Sequence, residues 1–376
     1  MIMGANVASI LLMLLVGYSD HLNPQAHPLL SCLGLAFPAL LAINVCFLIF
    51  WAIFSLKRVI VPILGFLLCY VPVRTYFPLN LGPSEKADLK VITYNVAGYS
   101  ADEDGVRGGG LKGALDYVAQ QKDADIVCLQ EVTLKEKDKA PFLDVFPYIE
   151  SQYFRTTGSG VTLLSKYPIV SSEPIKYGDG DFVSKAYTLD VNGKHVMVIN
   201  NHLETAGLSS EERQDFHSMV HGDQDTEVAR QASKKLLVKL GEHNVVRANQ
   251  TRALARFVEQ HADVPIIVCA DFNDSPISYS RYVVGQKLTD CFRESGNGLG
   301  WTFWRDAIRV RIDYIFCSSQ LTPVSCKVDN SIKSSDHYPM ICGLKMDGNA
   351  QKKHFLALKF RLVAKNAYLC TLFCAY

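Results

Sequence analysis

The chain has 376 residues, 49% hydrophobic and 20% charged, with a formal net charge of +1. That length holds one large domain plus a further region, and a near-neutral total gives no global argument for a nucleic-acid partner, which usually needs a basic face. The averages hide a split: up to Ser84 the only formal charges are Asp20, Lys57, Arg58 and Arg74, whereas from Glu85 onward charges occur at ordinary density.

In chain order, three apolar stretches come first: Ile2 to Tyr18, Leu29 to Leu56 and Val59 to Val73. The second is long enough to cross a bilayer with tilt; the third is short unless Tyr76 and Phe77 extend it past Arg74. The first resembles a signal peptide in length, but no Lys or Arg precedes it and more apolar sequence follows. Residues 1–77 therefore read as a transmembrane region of about three helices, with the lipid bilayer as partner. Lys57 and Arg58 form the basic pair of a short loop, while the loop from Asp20 to His27 has neither Lys nor Arg. The positive-inside rule then places the pair in the cytoplasm and everything after the third span on the extracytoplasmic (periplasmic) side of a multi-pass membrane protein. An even number of spans would reverse that side.

Residues 78–87, rich in turn formers, read as a linker. Short β-type runs follow: Leu89–Tyr94, Ile126–Leu129, Gly160–Leu164, Ala186–Val191, His195–Asn200, Ile266–Ala270, Ile312–Cys317 and Met340–Leu344. Helical patterns lie between them: Leu111–Gln121, one opening at the capping-box spacing Ser209-Ser210-Glu211-Glu212, and a longer one over about Thr226–Leu240 that resumes near Asn249–His261. Strands interspersed with helices indicate a mixed sheet covered by helices. The segment Thr205–Asn249 exceeds a simple connection and reads as an elaboration near the active site. Residues 347–376 form a basic-apolar tail. Among the eleven cysteines no Cys-x-x-Cys or zinc spacing occurs, and Cys128, Cys269 and Cys317 sit in β-type runs as small buried hydrophobes.

Five strands end in carboxylate, amide or imidazole groups: Tyr94-Asn95-Val96, Leu129-Gln130-Glu131-Val132, Asn200-Asn201-His202-Leu203, Ala270-Asp271-Phe272-Asn273 and Arg311-Ile312-Asp313-Tyr314. Ser335-Asp336-His337 immediately precedes the last strand. Delivering so many acids to one sheet rim is costly unless each is paired or binds a metal. Phosphoester hydrolysis needs an activated water, neutralised phosphoryl oxygens and help for the departing oxygen. Glu131 and Asn95 offer hard oxygen ligands suited to Mg²⁺ or Mn²⁺, and the absence of a thiolate or multi-His cage argues against structural zinc. His337 has the pKa range for proton transfer, and Asp313 is suited to fixing its tautomer. Asp271 is suited to orienting the water, Asn273 to donating to the phosphate, and His202 to serving as a second donor or acid.

This ordered set resembles the endonuclease/exonuclease/phosphatase superfamily over about residues 88–346, and Gly160 with Leu164-Ser165-Lys166-Tyr167-Pro168-Ile169 matches a framework stretch common there. The resemblance implies a four-layered α/β/β/α sandwich of two mixed sheets, here preceded by the helical transmembrane region. It implies that Glu131 is the principal metal ligand with Asn95 nearby, and that Asp336 is a neighbouring carboxylate close to the metal. It further implies that Asp271 and Asn273 handle water and phosphate, that Asp313 and His337 form the Asp–His pair, and that His202 stands opposite His337. Two departures occur. Ala270 replaces the usual Gly before Asp-Phe-Asn, and Ala97 stands where apurinic endonucleases carry an acid. The expected activity is divalent-metal-dependent hydrolysis of a phosphodiester or phosphomonoester, on a lipid, small-molecule or nucleic-acid substrate, with no obligate protein partner evident. A catalytically silent, membrane-tethered binding or signalling module is the competing reading; loss of Glu131, Asp271 or His337 would be its mark, and all three are present.

Overall fold

A computed structural model describes residues 1–82, 85–98, 109–154, 158–177, 184–207, 226–305 and 308–346. The capping-box spacing at 209–212 and the tail after 346 lie outside the described residues. The chain opens with α1 (Ile2–Gly17) and, after a connection with two 3₁₀ turns, α2 (Phe37–Phe54). With their 3₁₀ extensions these give two apolar helices, Ile2–His21 and Leu30–Phe54, long enough to cross a membrane. The third apolar stretch is broken into α3 (Ile60–Leu68) and α4 (Tyr70–Tyr76), and the segments Leu56–Leu68 and Tyr70–Tyr76 meet at a bend of 73°. Pro72 in the first turn of α4 lacks the N–H that would continue α3.

Inside this region the buried polar side chains bond to one another. Trp51 Nε1 donates to Asn6 Oδ1 (3.0 Å), Ser9 Oγ to Asn44 Oδ1 (3.1 Å), and Asn44 Nδ2 to the Ser9 carbonyl (3.2 Å). Gly65 lets α3 close on Ile10, where an added Cβ would meet side-chain carbon at 2.8 Å. Leu11, Leu12, Leu15, Ile49 and Ile53 project outward without cover.

The remainder is built on two six-stranded sheets. The first contains β1 (Leu89–Asn95), β2 (Ile126–Gln130), β3 (Tyr148–Phe154), β4 (Ser159–Ser165), β11 (Leu321–Val328) and β12 (Met340–Met346), in the order β11-β12-β1-β2-β4-β3. The second contains β5 (Ile169–Pro174), β6 (Ser184–Val191), β7 (Lys194–His202), β8 (Ile266–Asp271), β9 (Thr289–Asp290) and β10 (Asp313–Cys317), in the order β5-β6-β7-β8-β10-β9. Each sheet has one parallel pair at its centre, β1 with β2 and β7 with β8, and antiparallel pairing elsewhere.

Strand alternation assigns the layers. Leu89, Val91, Ile126 and Cys128 face Val198, Ile267, Cys269 and Ile315 in the core between the sheets. The alternate residues Ile92, Tyr94, Val127 and Leu129 face outward beneath Ala114 and Val118 of α5 (Gly110–Ala119). On the other sheet Ile199, Val268 and Phe316 lie beneath Leu254 and Val258 of a long helix and Val284 of a short one, Tyr279–Gly285. The result is the expected four-layered α/β/β/α sandwich.

The long helix runs unbroken from Thr226 to Gln260, 35 residues, where the sequence pattern indicates two pieces. Gly241 and its polar neighbours interrupt the apolar periodicity, yet an added Cβ there would meet the Pro28 carbonyl oxygen at 2.9 Å. The glycine serves close packing against the connection between α1 and α2. The described cysteines form no disulfide among themselves.

Candidate active site

The parity that builds the inter-sheet core also aims the site. Asn95 shares a face with Leu89 and Val91, His202 with Val196 and Val198, Asp271 with Ile267 and Cys269, and Asp313 with Ile315 and Cys317. Each is the last or first residue of its strand, so all four project into the cleft where the two sheets part. Register brings them level. Asn95 pairs with Gln130, His202 with Asp271, and Asp313 lies opposite Asp271 across an antiparallel pair. His337 arrives from the other side, three residues before β12, whose Met340 pairs with Thr93.

Glu131 follows a different rule. Continued alternation from Val127 and Leu129 would send it to the outer helical layer. Its backbone φ of 59° turns it instead to the cleft, where Asn95 Nδ2 donates to its Oε1 at 3.1 Å. Among the described residues four non-glycines have positive φ, Ala97, Glu131, Asn192 and Asn273, and all but Asn192 stand within two residues of Asn95 or Asp271 or at Glu131 itself. A left-handed conformation costs a non-glycine residue roughly 1–2 kcal/mol, and here it sits where side chains must be re-aimed.

Asp271 Oδ2 is the hub. Asn95 Nδ2 donates to it at 2.9 Å, and the Nε2 atoms of His337 and His202 stand 3.8 and 3.9 Å away. His202 Nε2 is also 3.6 Å from Glu131 Oε1, and its Nδ1 faces Ser159 Oγ at 3.3 Å. His337 Nδ1 bonds Asp313 Oδ2 at 2.8 Å, which leaves Nε2 aimed at the cleft. Asp271 and Asp313 are essentially inaccessible, while Glu131 retains 22% side-chain exposure at the mouth.

Residues to which the sequence reading gave no role hold this arrangement. Thr302 Oγ1 accepts from the N–H groups of Ile312 and Asp313, both at 3.0 Å. Ser335 Oγ donates to the Asn95 carbonyl at 2.8 Å and accepts from His337 N–H at 3.1 Å, while Phe303 meets the His337 ring edge-on. Beneath them Gln130 Nε2 donates to Asn200 Oδ1 at 2.8 Å across the two sheets. Gln130 and Asn200 share the inward parity of their strands, and that parity is the sequence signal that marks them; Thr302 and Phe303 carry none.

Two of the expected metal-ligating residues also engage protein groups. The Asn95 oxygen accepts from Ala97 N–H at 2.9 Å and its nitrogen bridges Glu131 and Asp271, so its amide ties two carboxylates together. Asp336, beside His337 in sequence, faces Arg305 at 3.4 Å, because adjacent side chains diverge. Asn273 lies at the rim: its N–H donates to Asp271 Oδ1 at 2.8 Å and its Nδ2 to the Leu203 carbonyl at 3.1 Å.

Electrostatics follow from this crowding. Burial, then the charge of Asp313, raises the Asp271 pKa above the ordinary carboxylate value, against the pull of both imidazoles and Asn95. At His337 burial works against the cation, but the charges of Asp313 and Asp271 and the hydrogen bond to Asp313 outweigh it and hold the pKa well above the usual imidazole range; Asp336 adds in the same sense. Asp271, Asp313 and His337 offer ligand atoms within 4.8 Å of one another. Asp313 Oδ1 and His202 Nε2 are buried without a hydrogen-bond partner, which a native fold rarely tolerates without a use. Three carboxylates facing two imidazoles, with an oxygen to spare, fit a hard divalent cation.

Residues 92–337 match the model of the Endonuclease/Exonuclease/phosphatase family, and residues 1–76 match a domain of unknown function (DUF8431). Among solved structures the chain is similar to a family protein from Bacteroides thetaiotaomicron (TM-score 0.51, 16% identity, covering 70% of this chain and 99% of that one). It is also similar to one from Bacteroides vulgatus (TM-score 0.48, 17% identity, covering 70% and 100%) and to the mannosyl-6-phosphatase of Bacteroides thetaiotaomicron (TM-score 0.48, 15% identity, covering 68% and 99%). No curated protein matches the chain.

Proposed function

This chain belongs to the endonuclease/exonuclease/phosphatase family, and from that premise we propose that it hydrolyses a phosphate ester with the aid of a divalent cation, Mg²⁺ or Mn²⁺, while anchored in a membrane by its N-terminal helices. The observation that carries the reading is the convergence on Asp271 Oδ2 of an amide and two imidazoles, beside a second buried carboxylate and a partly open third. In this reading Glu131 is the principal cation ligand, the charges of Asp271 and Asp313 make the cleft around it anionic, and Asn95 fixes the spacing of Glu131 and Asp271. Asp336 is an outer carboxylate adding to the field on His337. The cation would neutralise charge on the phosphoryl oxygens.

The protein's own groups supply the rest. Asp271 Oδ2, faced by both imidazoles at the cleft, is placed to orient and deprotonate the attacking water. His337, held as a cation by Asp313, faces the same point through Nε2 and stabilises charge gathering on the phosphoryl group. His202 presents its free Nε2 from the opposite sheet, as donor to a phosphoryl oxygen or to the departing one. Asn273 orients Asp271 through its N–H.

Membrane attachment as a multi-pass protein is supported by the two long apolar helices and the bent third pair. The end of α1, the start of α2 and the end of α4 all meet the sheet domain, whereas Lys57 and Arg58 occupy the opposite turn between α2 and α3. With that basic pair in the cytoplasm the catalytic domain is extracytoplasmic. The test is turnover of 4-nitrophenyl phosphate esters, plasmid DNA, sphingomyelin and inositol phosphates with and without EDTA. Turnover of at least one that stops in EDTA, returns with Mg²⁺ or Mn²⁺ and vanishes in Glu131→Ala/Asp271→Ala is expected; EDTA-resistant turnover, or none, rejects the proposal.

A further inference from the structure

The helical region is seated on the catalytic domain rather than hung from it. Met13, Val16, Phe37, Cys69 and Tyr76 share a buried cluster with Ile277 of the sheet domain, and Leu299 packs against it. Asn80, within the segment expected to be a linker, donates to the carbonyls of Arg293 (3.2 Å) and Gly296 (2.5 Å). A chain fastened at both ends of its connection has lost the freedom that makes a tether.

The seat lies directly behind the active site. Arg311, two residues before Asp313 and about 7 Å of extended chain from it, is buried and donates to the Thr75 carbonyl at 2.5 Å and the Leu299 carbonyl at 3.0 Å. Asp274, next to Asn273, faces Arg247 Nε at 3.7 Å; Arg247 donates to Asn244, which donates to Ser31 Oγ at 2.8 Å. Gly34 lies so close to the Ile277 carbonyl that no side chain fits between them. Both strand ends that carry Asp271 and Asp313 are thus braced against the same end of the apolar helices.

That end is where the bilayer surface would pass, and apolar side chains are exposed around it. Leu29 and Leu30 lie in the connection between α1 and α2, and Leu237 belongs to the long helix that packs on it. Trp301 is 42% exposed. It sits between Leu299, packed on the helical cluster, and Thr302 and Phe303, which hold Asp313 and touch His337. Exposed Leu and Trp are poorly placed in water but favourable at a lipid–water boundary, where an indole has an apolar body and a polar edge.

Resting on the phosphoesterase reading, we propose that the substrate is a phosphate ester carried on a membrane amphiphile, taken from the leaflet beside the helical region, with Trp301 seated in that leaflet. A rigid seat fixes the cleft at headgroup height, where an anchored ester has a high effective concentration; a water-soluble ester gains nothing from it.

The full chain in phosphatidylcholine vesicles distinguishes the two. The probes are ethyl and hexadecyl 4-nitrophenyl phosphodiesters and the corresponding ethyl and hexadecyl phosphate monoesters. The hexadecyl member of the pair that is cut should show at least tenfold higher kcat/KM. Trp301→Ser should raise KM for the hexadecyl ester about tenfold and leave the ethyl ester unchanged. Independently of activity, vesicles of brominated phosphatidylcholine should quench more tryptophan emission in wild type than in Trp301→Phe, with Trp51 as internal control. Equal kcat/KM for ethyl and hexadecyl esters, or no difference in quenching, overturns the inference. Quenching at Trp301 with neither ester cut removes the phosphoesterase reading and the substrate proposal with it.

Discussion

The helical region and the sheet domain both bury polar side chains, and they treat them in opposite ways. In the helices Asn6, Ser9, Asn44 and Trp51 are neutral and largely matched to each other. In the cleft between the sheets Asp271, Asp313 and His337 are ionisable, crowded within 4.8 Å, and Asp313 Oδ1 has no partner. The first arrangement joins helices: hydrogen bonds run from α2 to α1 through Trp51 and Asn44, with Asn6 Nδ2 left over. The second is a crowded ionisable cluster with an unpaired acceptor, the feature on which the proposed cation rests. Burial of polar groups therefore does not distinguish structure from chemistry; the state of their lone pairs does.

That contrast is open to attack from either side. Asp271→Asn removes the hub's charge and keeps its shape, and should lower kcat by about 10³-fold or more. Because burial and Asp313 disfavour that charge, the variant should also melt higher than wild type in EDTA, read by calorimetry; a variant less stable and still active would erase the distinction. On the helical side, Asn44→Leu should cost roughly 0.6–2 kcal/mol of stability in detergent, leaving turnover of soluble ester intact. A subtler signal comes from His337, whose folded-state pKa lies above its unfolded value. Its contribution to metal-free stability is complete below about pH 6.5. It is lost as pH rises through the higher folded value. NMR of the imidazole in EDTA should show titration above the usual histidine range, and Asp313→Asn should bring it down.

The strands that the sequence pattern reveals are the interior ones, where Val91, Cys128, Val198 and Cys269 alternate with outward apolar residues. Tyr148–Phe154, Ile169–Pro174, Thr289–Asp290 and Leu321–Val328 escape it. All four are sheet edges with little to bury, Val170 standing 55% exposed, and two carry a proline that a central strand would exclude. Among the site residues, Asp271, Asp313, His202 and His337 converge as their strand-end positions imply. The contacts of Asn95 with Ala97 N–H and of Asp336 with Arg305 are not signalled in the sequence. Which way an amide or carboxylate turns depends on partners far off in sequence, and no local pattern encodes it.

The amino-acid sequence by itself determined the division into apolar helices and alternating strands, because bilayer length and pleat parity are written in the order of side chains. It also determined which residues end each strand on the cleft side, since parity carries over from the core to the rim. Only the tertiary structure decided that Glu131, against that parity, joins them through a left-handed backbone, that Asn95 bridges two acids, and that Arg311 and Ile277 bind the helices to the back of the site. These depend on contacts between segments scores to hundreds of residues apart, such as Thr75 with Arg311, whose energy exists only once both sheets and helices are assembled.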